Sequence, residues 1–182
     1  MRRYAVLLFA VAVLLSGCGV IPMPSISIGA FSRVPVPAEL APPSNQKLDL
    51  VVAATGVQIY RCERSKDQAG QFEWVFQAPE ATLRDTIGRY LGKHYAGPTW
   101  EAEDGSKVVG TVQARRDAPG TIPWLRLSAR SSGGAGLFAN VTTIIRIGTT
   151  GGVPPPASCN DVELGKILRV EYTADYNLYV TR

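Results

Sequence analysis

From Tyr172 to Thr181 the chain alternates, with Tyr172, Ala174, Tyr176, Leu178 and Val180 on one parity and Thr173, Asp175, Asn177 and Thr181 on the other. A period of two is the repeat of a strand with one buried face, and a helix cannot use it. The same period starts at Lys47, where Leu48, Leu50 and Val52 alternate with Asp49 and Val51. Gln58 to Cys62 is β-branched and aromatic, and Phe72, Trp74 and Phe76 alternate with Glu73, Val75 and Gln77. The polar stretch Glu63 to Gln71 joins these two runs as a hairpin with a long loop. Pro79 to Leu83 resembles a helix start, but Gly88 and Gly92 follow and no apolar stripe forms. A strand over Ala81 to Asp85, a turn at Gly88 and a strand from Arg89 are predicted instead. Asp104-Gly105 lies between Thr99–Glu103 and Lys107–Arg115, a short-range hairpin signal. Trp124, Arg126 and Ser128 alternate with Leu125, Leu127 and Ala129, and Val141 to Ile147 is dense in β-branched residues. Ser131 to Gly136 reads as a loop, and it lacks the Gly-Lys-Ser/Thr ending of a phosphate loop. The chain is predicted to be all-β, an antiparallel β-sandwich or barrel of about 8–10 short strands in one domain.

The N-terminus has a different character. Arg2 and Arg3 precede the apolar run Tyr4 to Leu15, which ends in Leu15-Ser16-Gly17-Cys18. The run is about twelve residues long, and a membrane-spanning helix needs roughly twenty. A positive segment, a short apolar segment and small residues before a cysteine resemble a lipoprotein signal peptide, residues 1–17, with lipidation of Cys18. Several acyl chains anchor a protein stably where one does not. Gly19 stands where an aspartate would mark inner-membrane retention. The expectation is an outer-membrane lipoprotein facing the periplasm or the cell surface. Residues 18–46 hold Pro22, Pro24, Pro35, Pro37, Pro42 and Pro43 and read as a semi-rigid tether, leaving 47–182 as the β domain.

Removing the signal also changes the charge and the cysteine count. The full chain carries 19 basic and 15 acidic residues, and two of the basic ones are Arg2 and Arg3. The remaining charge is scattered and forms no basic helix, so nucleic acid is not an expected partner. With Cys18 lipidated, Cys62 and Cys159 form an even pair in an oxidising compartment, and a disulfide between them is expected. It would close a loop worth about 4.7 kcal/mol in loop-entropy terms. The alternative is two buried thiols. Two cysteines and a lone histidine are a poor zinc set, and neither metal nor cofactor is implied.

Several segments carry a resemblance: Gly56–Cys62, Trp74–Ala81, His94–Glu101 with Asp104-Gly105-Ser106, Ile122–Leu125, and Tyr172–Tyr176. Together they resemble the domain-of-unknown-function 3455 family, found in bacteria and fungi as secreted or lipid-anchored proteins. The resemblance spans roughly Leu48 to Tyr179 and implies no activity. Some members carry enzyme labels such as malate dehydrogenase, but this chain lacks a Gly-x-Gly-x-x-Gly turn and a β-α alternation.

His94 is the single histidine, and Tyr95, Trp100, Glu101, Glu103 and Asp104 lie close to it in sequence. A binding reading groups His94, Tyr95, Trp100 and Glu101 as a ligand site, with Trp74 and Trp124 as further flat faces for a sugar or peptide. A hydrolase reading makes His94 a general base oriented by Glu101 or Asp104, acting on polysaccharide or ester substrates. No Gly-x-Ser-x-Gly elbow supplies its nucleophile. His94 with Glu101 and Glu103 could also be read as a metal set, without specificity. In the plainest reading His94 is a hydrogen-bonded turn residue and the tryptophans are core. Arg126 and Arg146 are expected on solvent faces. The C-terminal tyrosines are expected to close the core with their hydroxyls at the rim. The leading expectation is a non-enzymatic envelope lipoprotein that binds a glycan, peptidoglycan or a protein partner.

Overall fold

The computed structural model describes residues 34–182; Cys18, the signal segment and the start of the proline-rich segment lie outside them. Eight strands follow one another: β1 (Gln46–Arg64), β2 (Phe72–Arg84), β3 (Tyr90–Tyr95), β4 (Thr99–Ala102), β5 (Lys107–Arg116), β6 (Trp124–Gly133), β7 (Val141–Gly151) and β8 (Ile167–Thr181). Each pairs antiparallel with the next, and β8 returns to β1. Of the two expected architectures the chain takes the barrel. Its longest strands are not short: β1 has 19 residues and β8 has 15. Barrel strands tilt around the axis, so a strand that follows the wall runs further than one crossing a flat sheet. A bulge at Gln77 opposite Ile59/Tyr60 bends the β1–β2 ribbon. That ribbon extends past β3, which pairs only with Ala81–Arg84.

Eight strands enclose a space that side chains can just fill. The fill comes from alternate residues: Val52 and Ala54 of β1, Leu83 of β2, Trp100 of β4, Val108 of β5, Leu127 of β6, Ile144 of β7, and Tyr172, Ala174, Tyr176 and Leu178 of β8. Large meets small across the lumen. A Cβ on Gly110 would stand 2.9 Å from both the Trp100 ring and Leu127, so the indole fits because β5 has no side chain there.

One end of the barrel is plugged by Phe138, fully buried in the β6–β7 loop. The β4–β5 turn holds that loop. The Asp104 carboxylate accepts from Leu137 N (2.7 Å), Ser106 N (2.9 Å) and Ser106 Oγ (2.6 Å), and Ser106 Oγ accepts from Phe138 N (3.0 Å).

A second, smaller core lies outside the barrel wall. Leu40, on a single 3-10 turn at Ala38–Leu40, packs with Ile145, Ile147 and Tyr179, flanked by Val36, Ala114 and Trp124. Arg126 donates to the Ala41 carbonyl (2.7 Å), and Arg116 pairs with Glu39 (3.2 Å). Val34–Ala41, which the sequence assigns to the tether, is therefore a strap on the folded body. Arg126 is half-buried beneath it and not on a solvent face. A disulfide joins Cys62 near the end of β1 to Cys159 in the β7–β8 connection, with a Cα–Cα distance of 6.0 Å. Backbone bonds from Cys62 N to Lys166 O and from Gly165 N to Cys62 O hold the same connection. Among the described residues, no helix is long and apolar enough to cross a membrane.

Candidate functional site

The β3–β4 hairpin pairs His94 with Trp100 and Lys93 with Glu101. Successive residues of a strand face opposite sides of the wall, so the four grouped candidates separate into two pairs. His94 and Trp100 point into the lumen and are almost fully buried. Tyr95 and Glu101 point outward, where the Tyr95 hydroxyl donates to Glu101 Oε2 (2.7 Å) and Lys93 and Lys107 stand 3.6 and 3.5 Å from the same oxygen. The Tyr95 hydrogen bond, aided by the two lysines, holds the Glu101 carboxyl below the usual carboxylate range against the opposing effect of burial. The expectation that Glu101 or Asp104 orients His94 is corrected by this placement. Glu101 lies on the other side of the wall, and Asp104 is used at the plugged end.

His94 is held by backbone instead. Its Nδ1 lies 2.8 Å from the Thr99 carbonyl, which can only accept, so Nδ1 carries the proton and Nε2 is a bare acceptor. The imidazole stacks on Trp100 with centroids 4.2 Å apart and an interplanar angle of 18°. Tyr176 meets both rings edge-on, with centroids 5.3 Å away. Burial pushes the His94 pKa down to about 3, opposed by the Thr99 bond and reinforced by Arg146. The ring is neutral at ordinary pH.

Arg146 is the residue the sequence misplaced. It sits on β7 with the parity of Ile144, not of Ile145 and Ile147, so it enters the mouth of the barrel. Its Nε and Nη2 both donate to the Pro123 carbonyl, at 3.0 and 2.8 Å. Between Arg146 and the stacked rings lies a cavity of about 80 Å³, lined also by Gln58, Phe76, Pro98, Val112 and Leu125. The remaining lining residues are Pro79 and Leu127, so no carboxylate faces it.

Three buried polar atoms in this lining have no hydrogen-bond partner: Gln58 Nε2, Trp100 Nε1 and the Tyr176 hydroxyl. Arg146 and the Tyr172 hydroxyl both act on the Tyr176 hydroxyl without closing a hydrogen bond to it. The tyrosines correct a second expectation. Tyr172 and Tyr176 close the core as predicted, but their hydroxyls are inside it and not at the rim, and burial raises both pKa values. The three tryptophans share no surface either. Trp100 fills the lumen, Trp124 lies beside the strap, and Trp74 is half-buried on β2. Among the described residues, no group of three or more histidine, cysteine or carboxylate side chains is placed to hold a metal ion.

The family model described as "Protein of unknown function (DUF3455)" matches residues 42–180. No curated protein and no solved structure gives a match. The matched region contains β1 to β7, all of β8 except its last residue, and all of the mouth. By that match the chain belongs to the domain-of-unknown-function 3455 family.

Proposed function

We propose that this chain is an envelope lipoprotein, anchored to the outer membrane through Cys18, whose barrel binds an envelope component without converting it. The observation that carries the reading is the cavity at the barrel mouth, lined by Arg146 with no carboxylate and by three residues that each keep an unpartnered buried polar atom. Buried polar atoms are normally hydrogen-bonded, and a cluster of exceptions around one concavity suits a ligand that supplies their partners. The geometry of His94 supports binding over turnover. A base needs an open path to substrate and an orienting acid, whereas His94 is stacked, buried and tied to a backbone carbonyl. The membrane anchor rests on the sequence around Cys18.

Three measurements test the reading. Labelled palmitate should enter the chain in a bacterial host and be lost in Cys18→Ser; labelling that survives this change removes the anchor. The full chain, purified in detergent from envelopes, should carry a small molecule that Arg146→Gln loses. Hydrolysis of an ester or glycoside panel that disappears in His94→Ala would replace binding with catalysis.

A further inference from the structure

We propose that the mouth of the barrel is a site for a small monocarboxylate, its carboxylate received by Arg146, Gln58, Trp100 and Tyr176 and its apolar end held in a collar of Phe76 and Val112. The proposal rests on the binding reading above and names the ligand's chemical class. The inventory of free groups decides it. Trp100 Nε1 can only donate, Gln58 Nε2 carries two donors and the Tyr176 hydroxyl can donate, against an acceptor in the lining, His94 Nε2. Arg146 spends one N–H each of Nε and Nη2 on Pro123, which leaves both N–H groups of Nη1 and the second of Nη2. A guanidinium is charged at every accessible pH, and no lining carboxylate balances it here. A donor-rich concavity around a fixed cation is complementary to an anion with two acceptor oxygens.

Size and wall chemistry narrow the class. The cavity of about 80 Å³ is roughly half of one that holds benzene, so a head of about three to five heavy atoms enters it. At the rim, Phe76 and Val112 are 49% and 51% exposed, and Pro98 and Leu125 complete an apolar collar. A dicarboxylate or a phosphorylated sugar would press charge against that collar. An acid with a short hydrocarbon body would cover it.

The test uses the full chain in detergent with labelled tryptophan indoles, titrated with sodium butyrate, with butyramide as its neutral isostere and with glucose. Butyrate should shift the Trp100 Nε1–H resonance saturably and bind at least about tenfold more tightly than butyramide. Arg146→Gln should weaken butyrate by about tenfold or more. Since Arg146 also braces Pro123, Tyr176→Phe provides the independent variant. It removes a hydroxyl that Arg146 and Tyr172 approach without bonding, and it should weaken butyrate severalfold with folding intact. Equal binding of butyrate and butyramide, or a preference for glucose, overturns the carboxylate assignment and leaves the binding reading standing. A Trp100 resonance that none of the three compounds moves overturns the site itself and the binding reading with it.

Discussion

At the plugged end of the barrel, Phe138 is fully buried and the polar side chains that brace it, Asp104 and Ser106, are each satisfied. At the other end, Gln58, Trp100 and Tyr176 are as deeply buried, yet each keeps an unpartnered polar atom in front of a half-buried arginine. The same strands build both ends. A fold that satisfies the side chains bracing its plug has the means to satisfy those at the mouth. Evenly apolar filling would stabilise the lumen throughout, because an unpaired buried donor costs about 1–3 kcal/mol. The contrast marks the mouth as a place where stability is given up, as functional sites commonly are.

The largest effect that could break this contrast belongs to the plug. Phe138→Ala should lower the unfolding free energy by about 3–5 kcal/mol in denaturant titration, because a large cavity opens where a fully buried ring closed the lumen. A loss under about 1 kcal/mol would mean the plug is no tighter than the mouth. Next comes the staple beside the mouth. Cys62→Ala combined with Cys159→Ala should cost about 2–4 kcal/mol, since the bond spans a sequence separation of 97. The same loss should follow reduction of the wild-type chain.

His94 sharpens the comparison through pH. Its pKa is about 3 folded and near 6.5 unfolded, so between those values the unfolded chain binds a proton that the folded chain refuses. Stability should therefore fall as pH drops from 6.5 toward 3, by up to about 1.4 kcal/mol per pH unit from this group. It should be unaffected by this group above that window. Unfolding curves of His94→Gln should lack this component, and a parallel pH dependence in the two chains would contradict the burial of the ring. The smallest effect is at Tyr176. Tyr176→Phe should change stability by less than about 0.5 kcal/mol or raise it slightly, because its hydroxyl has no partner to lose. A clear loss of stability would show that the hydroxyl is bonded and that the two ends are alike.

Alternation in the sequence revealed the strands, and Asp104-Gly105 revealed a hairpin. Closure was beyond it, because the pairing of Gln46 with Thr181 joins opposite ends of the domain and leaves no local mark. The candidate site shows what period two could have supplied. His94 and Tyr95 are neighbours on one strand, as are Trp100 and Glu101, so the alternation already divides them between two faces. Arg146 was unreadable for a definite reason. Ile145 and Ile147 flank it and look like the core face, which sends Arg146 to solvent. The strap from Val34 to Ala41 covers the outside of β7, so those isoleucines are buried outside the barrel and the intervening arginine turns inward. A second core on the outer wall inverts the inference that one core would allow.

The plug at Phe138 also limits the traffic this barrel can support. With Phe138 filling one end, the lumen is a cup and not a pipe, and a ligand of the proposed mouth site would have to enter and leave past Phe76 and Val112. On the proposed binding role, loading and unloading would compete for one opening. Release to an acceptor requires that acceptor to meet the mouth itself, so a single face of the domain would govern both capture and hand-over.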